Sequence, residues 1–295
     1  MKKKNTSSIK KSGLGARASR RIANTIIYVV LVCMTLIWLF PYFGIVLESF
    51  RMETTGRVDY LFPKEWGIGN YTYILTEHPH FLKWYGNTLF MGVATAFLQT
   101  FFILSMSYTL SRLRFKGRKL LMNFMLIIGM FPGFLTMILI YKIFGDLNLV
   151  QSNAPIGLII VYCASSGMGY YVSKGFFDTI SKSLDEAARI DGATRWQVFY
   201  KVIMPLSKPI IIYTILMGFM APWGDFMLAR YLSIGSELGK NVAVGMWGWF
   251  QGANPDLMYT RFCAAGVVVS LPVTAVFLAL QKYYVEGVTG GAVKG

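Results

Sequence analysis

The chain has 295 residues, 55% of them hydrophobic, with a mean hydropathy of +0.49. That much apolar surface excludes an ordinary soluble fold and predicts an all-α polytopic membrane protein. The formal net charge of +15 comes from 29 Lys and Arg against 14 Asp and Glu. These cations are dispersed instead of forming a stripe interleaved with aromatics, so they argue for membrane lipid headgroups and topology, not nucleic acid.

Residues 1–21 begin Met1-Lys2-Lys3-Lys4, are rich in Ser and Gly, and predict a disordered basic tail. The apolar run 22–47 is longer than the core of a cleavable signal peptide and is expected to remain as a first transmembrane helix. Residues 48–85 mix Gly, Pro, acids and aromatics, which predicts a structured external loop with an interfacial piece. Its Trp66, Tyr71, Tyr73, Trp84 and Tyr85 fit an aromatic belt better than a partner-binding surface. His78 and His80 lack neighbouring metal ligands in the sequence and read as ordinary loop residues.

Five further runs follow at 86–111, 120–141, 154–173, 209–232 and 262–281. At about 1.5 Å per residue, each is long enough for a hydrocarbon core of about 30 Å. Six spans place both termini on one side. The segments on that side carry 21 Lys and Arg against 8 in the alternate loops, so the tails and the 174–208 loop are expected to be cytoplasmic. Residues 282–295 form the second cytoplasmic tail. Helix perturbers interrupt the spans at Pro132-Gly133, Gly167 with Gly169, Pro222-Trp223-Gly224 and Pro272. They fit either a central pathway or close helix packing at small residues. The three cysteines, Cys33, Cys163 and Cys263, all fall in spans and indicate neither a disulfide framework nor a metal cluster.

The 174–208 loop carries the strongest local signals. Ser183 and Glu186 have capping-box spacing, predicting a helix from about Leu184 that ends at Gly192. Thr194 and Gln197 repeat the spacing, and Pro205 is expected to stop that second helix. Ala187, Ala188 and Gly192 allow close approach of a partner, while Leu184, Trp196, Phe199 and Val202 offer an apolar face to anchor the element. Within the spans, Asp225 stands out as an acid beside the Trp223 break, five residues from Arg230. No phosphate-binding loop exists, since Gly239-Lys240 is followed by Asn241, and no nucleophile-base constellation is present.

The run Glu186-Ala187-Ala188-Arg189-Ile190-Asp191-Gly192-Ala193, continued by Phe199 and Met204-Pro205, resembles the cytoplasmic EAA loop of binding-protein-dependent ABC importer permeases. From residue 86 onward the chain resembles the permease core of that family, five helices around the docking loop, with the first helix as an addition. The C-terminal sequence Gly290-Gly291-Ala292-Val293-Lys294-Gly295, with Lys174-Gly175-Phe176-Phe177-Asp178, resembles the smaller membrane subunit of maltose and maltodextrin importers.

The resemblance implies a type I importer fold of six helices in a bacterial cytoplasmic membrane, and a translocation subunit that is not itself an enzyme. It implies a second permease subunit, an extracytoplasmic sugar-binding protein and two ATPase subunits holding the ATP and Mg, with no cofactor on this chain. Glu186, Ala187, Ala188, Asp191, Gly192, Ala193 and Pro205 would contact the ATPase, as would Gly290, Gly291, Lys294 and Gly295 of the tail. Asp225 and Trp223 would belong to the translocation pathway, with a packing or gating role for Asp225 standing equal to sugar contact. Another sugar, or a secondary transporter, is the alternative.

Overall fold

The computed structural model describes residues 13–53, 58, 60–131, 133–252 and 255–292. Among these the fold is helical, and the one β-type contact is the isolated bridge between Arg51 and Trp66. The first helix, α1 (Gly13–Ser49), begins inside the expected disordered tail. Residues 1–12 lie outside the described residues. Arg17, Arg20 and Arg21 are good helix formers, and they extend the apolar helix backwards.

A short helix α2 (Gly69–Thr72) and a π-turn (Tyr73–Glu77) precede α3 (Phe81–Arg112), which starts within the expected external loop. The third apolar run is broken into α4 (Arg118–Gly129) and α5 (Gly133–Asp146), inclined by 96°. The fourth is α6 (Ala154–Ala164) and α7 (Gly167–Thr179), bent by 42° at Ser165 and Ser166. The docking loop holds α8 (Lys182–Ile190), α9 (Arg195–Gln197), a π-turn (Val198–Ile203) and α10 (Met204–Leu206). Then come α11 (Lys208–Gly224), α12 (Met227–Leu232), α13 (Val242–Gly248) and α14 (Pro255–Ala292).

Three unbroken helices are long and apolar enough to cross a membrane: Ala18–Ser49, Phe81–Arg112 and Met258–Tyr283. Counting each bent pair once gives six segments. In the last pair the chain turns by 82° between Leu206 and Lys208, so the loop's helices lie across the end of α11 instead of continuing it.

The central helix is α3, which packs against α6, α7 and α11, while α14 lies between α11 and α1. Close approach is set by small residues. A side chain at Gly218 would meet the Ala96 backbone at 3.0 Å, and one at Gly169 would meet Ile103 at 2.7 Å. Around Gly167 the space is open, so packing explains only the second of that pair.

The broken helices need partners for their freed backbone groups. Gln99 Nε2 on α3 donates to Tyr162 O and to Ser166 Oγ at the α6–α7 bend, both at 3.0 Å. Outside the bundle, the buried Arg51 donates to both oxygens of Glu48, to Glu53 and to the carbonyls of Tyr60 and Leu61. Asn70 Nδ2 donates to Ser49 O and Arg51 O, and Thr260 Oγ1 donates to Asn70 Oδ1, which ties the outer loop to α14.

Two expectations for the outer aromatics and histidines change. Trp84 is core, 3% exposed, with Nε1 donating to Glu237 O at 2.8 Å, while Trp66 stays exposed as a belt residue would. His78 is a packing centre, with Nδ1 facing the Phe81 N–H at 3.0 Å and Nε2 facing Trp249 Nε1 at 3.1 Å.

Candidate functional site: the docking element

Helix α8 begins two residues earlier than the sequence spacing predicts. Its N-cap is Ser181, whose Oγ accepts from Ser183 N, and Ser183 itself sits inside the first turn. The Ser183–Glu186 capping box is therefore not formed, and Glu186 is left exposed on the helix surface. Serine competes best for backbone N–H groups where the chain is still extended, and Ser181 has ψ 132°.

The end of α8 is as expected. Gly192 has φ +85°, its N–H donates to Arg189 O at 3.0 Å, and Ala193 N–H donates to Ala188 O at 2.9 Å. These two bonds form a Schellman stop, which needs a left-handed residue where a Cβ would be strained. Thr194 and Gln197 form the predicted capping box, with Thr194 N donating to Gln197 Oε1 at 2.7 Å and Gln197 N to Thr194 Oγ1 at 3.2 Å.

Pro205 does not stop the second helix. The backbone widens to a π-turn over Val198–Ile203 and carries Pro205 inside α10, so the turn falls at Ser207, whose Oγ donates to Ile203 O. The helical turns run on from Arg195 to Leu206, so Pro205 falls in the last turn, directly after the wider π-turn.

The anchoring face also differs from expectation. Phe199 is buried at 9% and half-buried Val202 lines the groove described below, but Leu184 and Trp196 are exposed. The residues that insert are Val198, Phe199 and Ile203, against Leu104 and Tyr108 of α3, Phe177 of α7 and Ile210 of α11. The Tyr108 and Phe199 rings are 4.7 Å apart. In the second helix the π-turn shifts the helical period, so a 3.6-residue reading through Trp196, Phe199 and Val202 misassigns the inward face there.

On the outer side, Glu186, Ala187, Asp191, Gly192 and Pro205 are exposed, and Ala188 and Ala193 are half-buried. Ile190 is 85% exposed and Trp196 64%, an apolar surface at the α8–α9 bend. Beside them lies a groove of about 330 Å³ lined by Ala188, Asp191, Gly192, Ala193, Gln197, Lys201 and Val202.

One buried tie joins this element to the bundle, and the sequence did not single it out. Arg112 Nε at the end of α3 lies 3.2 Å from Asp185 Oδ2 on α8, with side chains 1% and 8% exposed. Arg112 Nη2 also donates to Ile180 O. In the sequence Arg112 is one topological cation among many, and Asp185 is overshadowed by Glu186.

The intramembrane candidates are brought together elsewhere. Tyr162 donates to Asp225 Oδ2 at 2.6 Å, and Asp225 Oδ1 accepts from Leu228 N at the start of α12. Asn241 Nδ2 donates to the carbonyls of Pro222 and Asp225, and its Oδ1 accepts from Val244 N. Asp225 and Asn241 thus bridge the break between α11 and α12. Arg230 is not paired with Asp225; its guanidinium lies 5.8 Å from the Phe226 ring centre. Trp223 is buried, edge-on to Tyr85 and packed against the Gly92 backbone of α3. Among the described residues no group of three or more His, Cys, Asp or Glu could hold a metal ion.

The C-terminal Gly290 and Gly291 are helical within α14, while Lys294 and Gly295 lie outside the described residues.

Residues 102–290 match the family described as binding-protein-dependent transport system inner membrane component. The chain belongs to that family. Among relatives of the permease, a maltodextrin transport system permease protein of Bacillus subtilis, MdxG, is 30% identical over 96% of this chain and 100% of its own length. A galactooligosaccharides permease protein of the same organism, GanQ, is 31% identical over 91% and 94%. The maltose/maltodextrin permease protein MalG of Vibrio vulnificus is 35% identical over 72% and 73%. A solved bacterial ABC transporter involved in import of the polysaccharide alginate superposes with a TM-score of 0.75, at 27% identity, covering 94% of this chain and 100% of that one. The permease is thus a multi-pass membrane subunit with the ABC importer permease fold, and its relatives are permeases, not enzymes.

Proposed function

We propose that this permease carries oligosaccharides of the maltodextrin type into a bacterial cell as one of two membrane subunits of an ATP-driven importer. The carrying observation is the docking element itself. Its inner face is locked by Val198, Phe199 and Ile203, while its outer face leaves Glu186, Asp191 and the apolar Ile190 and Trp196 to solvent. A rigid projecting lever of that kind fits a partner cleft. Two ATPase subunits holding ATP and Mg supply that partner, and an extracytoplasmic binding protein delivers the sugar at the opposite face. Both termini and the docking element then lie in the cytoplasm, and Gly290, Gly291, Lys294 and Gly295 contact the ATPase pair. Asp225 and Trp223 shape the helix break beside the pathway.

The sugar class rests on relatives named as maltodextrin and maltose permeases, and a galactooligosaccharide relative stands at similar identity. The test is reconstitution of the complete importer in proteoliposomes and measurement of ATP-driven uptake of labelled maltotriose against a galactooligosaccharide. Preferential maltotriose uptake is expected. Preference for the galactosides would move the substrate, and lack of ATP dependence would remove the importer reading.

A further inference from the structure

Resting on that proposed importer role, we propose that the buried pair of Arg112 and Asp185 is the transmission joint through which movement of α8 reaches the central membrane helix α3, with both side chains acting as positioning residues.

The two faces of α8 have different tasks. Glu186 and Arg189 point outward and are exposed, while Asp185 is the buried residue of that helix. Apolar contacts hold the neighbouring π-turn, but they are non-directional and tolerate sliding. The directional link from α8 to α3 is the ion pair, and Arg112 extends it to the α7–α8 connection through Ile180 O at 2.9 Å.

The pair is incompletely made. Arg112 Nε and Asp185 Oδ2 are within ion-pair distance but misaligned as a hydrogen bond, and Arg112 Nε, Arg112 Nη1, Asp185 Oδ1 and the nearby Tyr108 hydroxyl have no hydrogen-bond partner. Guanidinium and carboxylate reach their strongest form as a two-bond fork. Buried polar atoms without partners are costly, so a small rotation of α8 that brings Oδ1 toward Nη2, the nitrogen on the same edge as Nε, would be favourable, and Nη2 keeps its second hydrogen for Ile180 O. The joint therefore has two distinct arrangements, single and forked, and a partner gripping α8 would bias them.

The experiment compares wild type, Asp185→Asn, Asp185→Glu and Arg112→Lys in the complete importer, reading complex yield, ATPase rate and sugar uptake. If ATPase subunits fail to copurify with wild type, the importer role falls, not the joint. With wild type assembled, Asp185→Asn is expected to keep assembly and hydrolysis but lower sugar transported per ATP by roughly tenfold. Asp185→Glu, which keeps the charge, is expected to restore much of that ratio. A merely structural tie predicts that yield, hydrolysis and uptake fall together with the ratio intact, and that result overturns the proposal. Should Asp185→Asn fail to assemble, Arg112→Lys decides, because it keeps the charge and loses the fork. A lowered ratio supports the joint, and an unchanged one overturns it.

Discussion

Tyr162 and Asp225 show how a carboxyl group is kept at membrane depth. Both oxygens of Asp225 are engaged, one by the phenol and one by the Leu228 N–H, so the group acts as a staple across the α11–α12 break. Tyr162→Phe leaves Oδ2 without its donor and is expected to destabilise the protein by roughly 1–3 kcal/mol, read as a lowered unfolding midpoint in detergent. An unchanged midpoint would mean the staple is idle. At the outer surface, His78 meets N–H donors at both ring nitrogens. The neutral ring accepts at one of them and the imidazolium at neither. Burial, with His80 next, accordingly holds its pKa below the ordinary histidine value. A histidine whose folded-state pKa is depressed adds stability above its unfolded pKa of about 6.5, and that stability is lost as pH falls through the folded value. Acidification from about pH 7 to pH 5 is therefore expected to lower the unfolding midpoint and perturb fluorescence of the adjacent Trp84 and Trp249. The profile of His78→Asn should be flatter; equal slopes would dismiss the histidine as the cause.

The α8–α9 bend depends on one left-handed residue. At φ +85° Gly192 tolerates no proline, whose ring holds φ near −65°, and alanine there is strained by about 1–2 kcal/mol. Gly192→Pro is expected to leave the chain inserted while hydrolysis by the reconstituted importer runs without matching uptake, and Gly192→Ala should show a milder form. Normal uptake by the proline variant at normal expression would contradict the lever. This bend was legible in the sequence, as were the Thr194 box and most of the spans, because each is governed by local backbone chemistry or by long apolar runs. The elements that misled are those decided by tertiary context. Ser181 won the cap from Ser183 by backbone conformation, the π-turn after Gln197 set Val198, Phe199 and Ile203 inward, and Pro205 fell in the last turn of the second helix instead of beyond it. Arg112 with Asp185, and Asn241 with the α11 break, pair residues far apart in sequence, and no periodicity in one chain announces such contacts.

At the scale of the whole molecule, the charge asymmetry and the fold make one topological prediction. Thr194 and Thr72 are both exposed, on the docking element and in the outer loop. With Cys33 replaced by serine, a cysteine at Thr72 should react with an impermeant maleimide from outside intact cells, while one at Thr194 should require permeabilisation. The reverse pattern would invert the protein in the membrane. The orientation fixes what each face meets, but α1 meets almost nothing of its own chain. Its apolar window is 0% buried and it leans mainly on α14, near its outer end where Leu47 and Ser49 turn inward and Asn70 and Tyr71 hold Ser49. A helix that fills no interior hole is constrained by solvent preference, not by shape. Its sequence can drift among apolar residues with little effect on the remaining bundle, so most of α1 is a stretch where heritable variation accumulates at little cost to folding, whereas the α3 face lined by Gly92 and Ala96 has almost no such latitude.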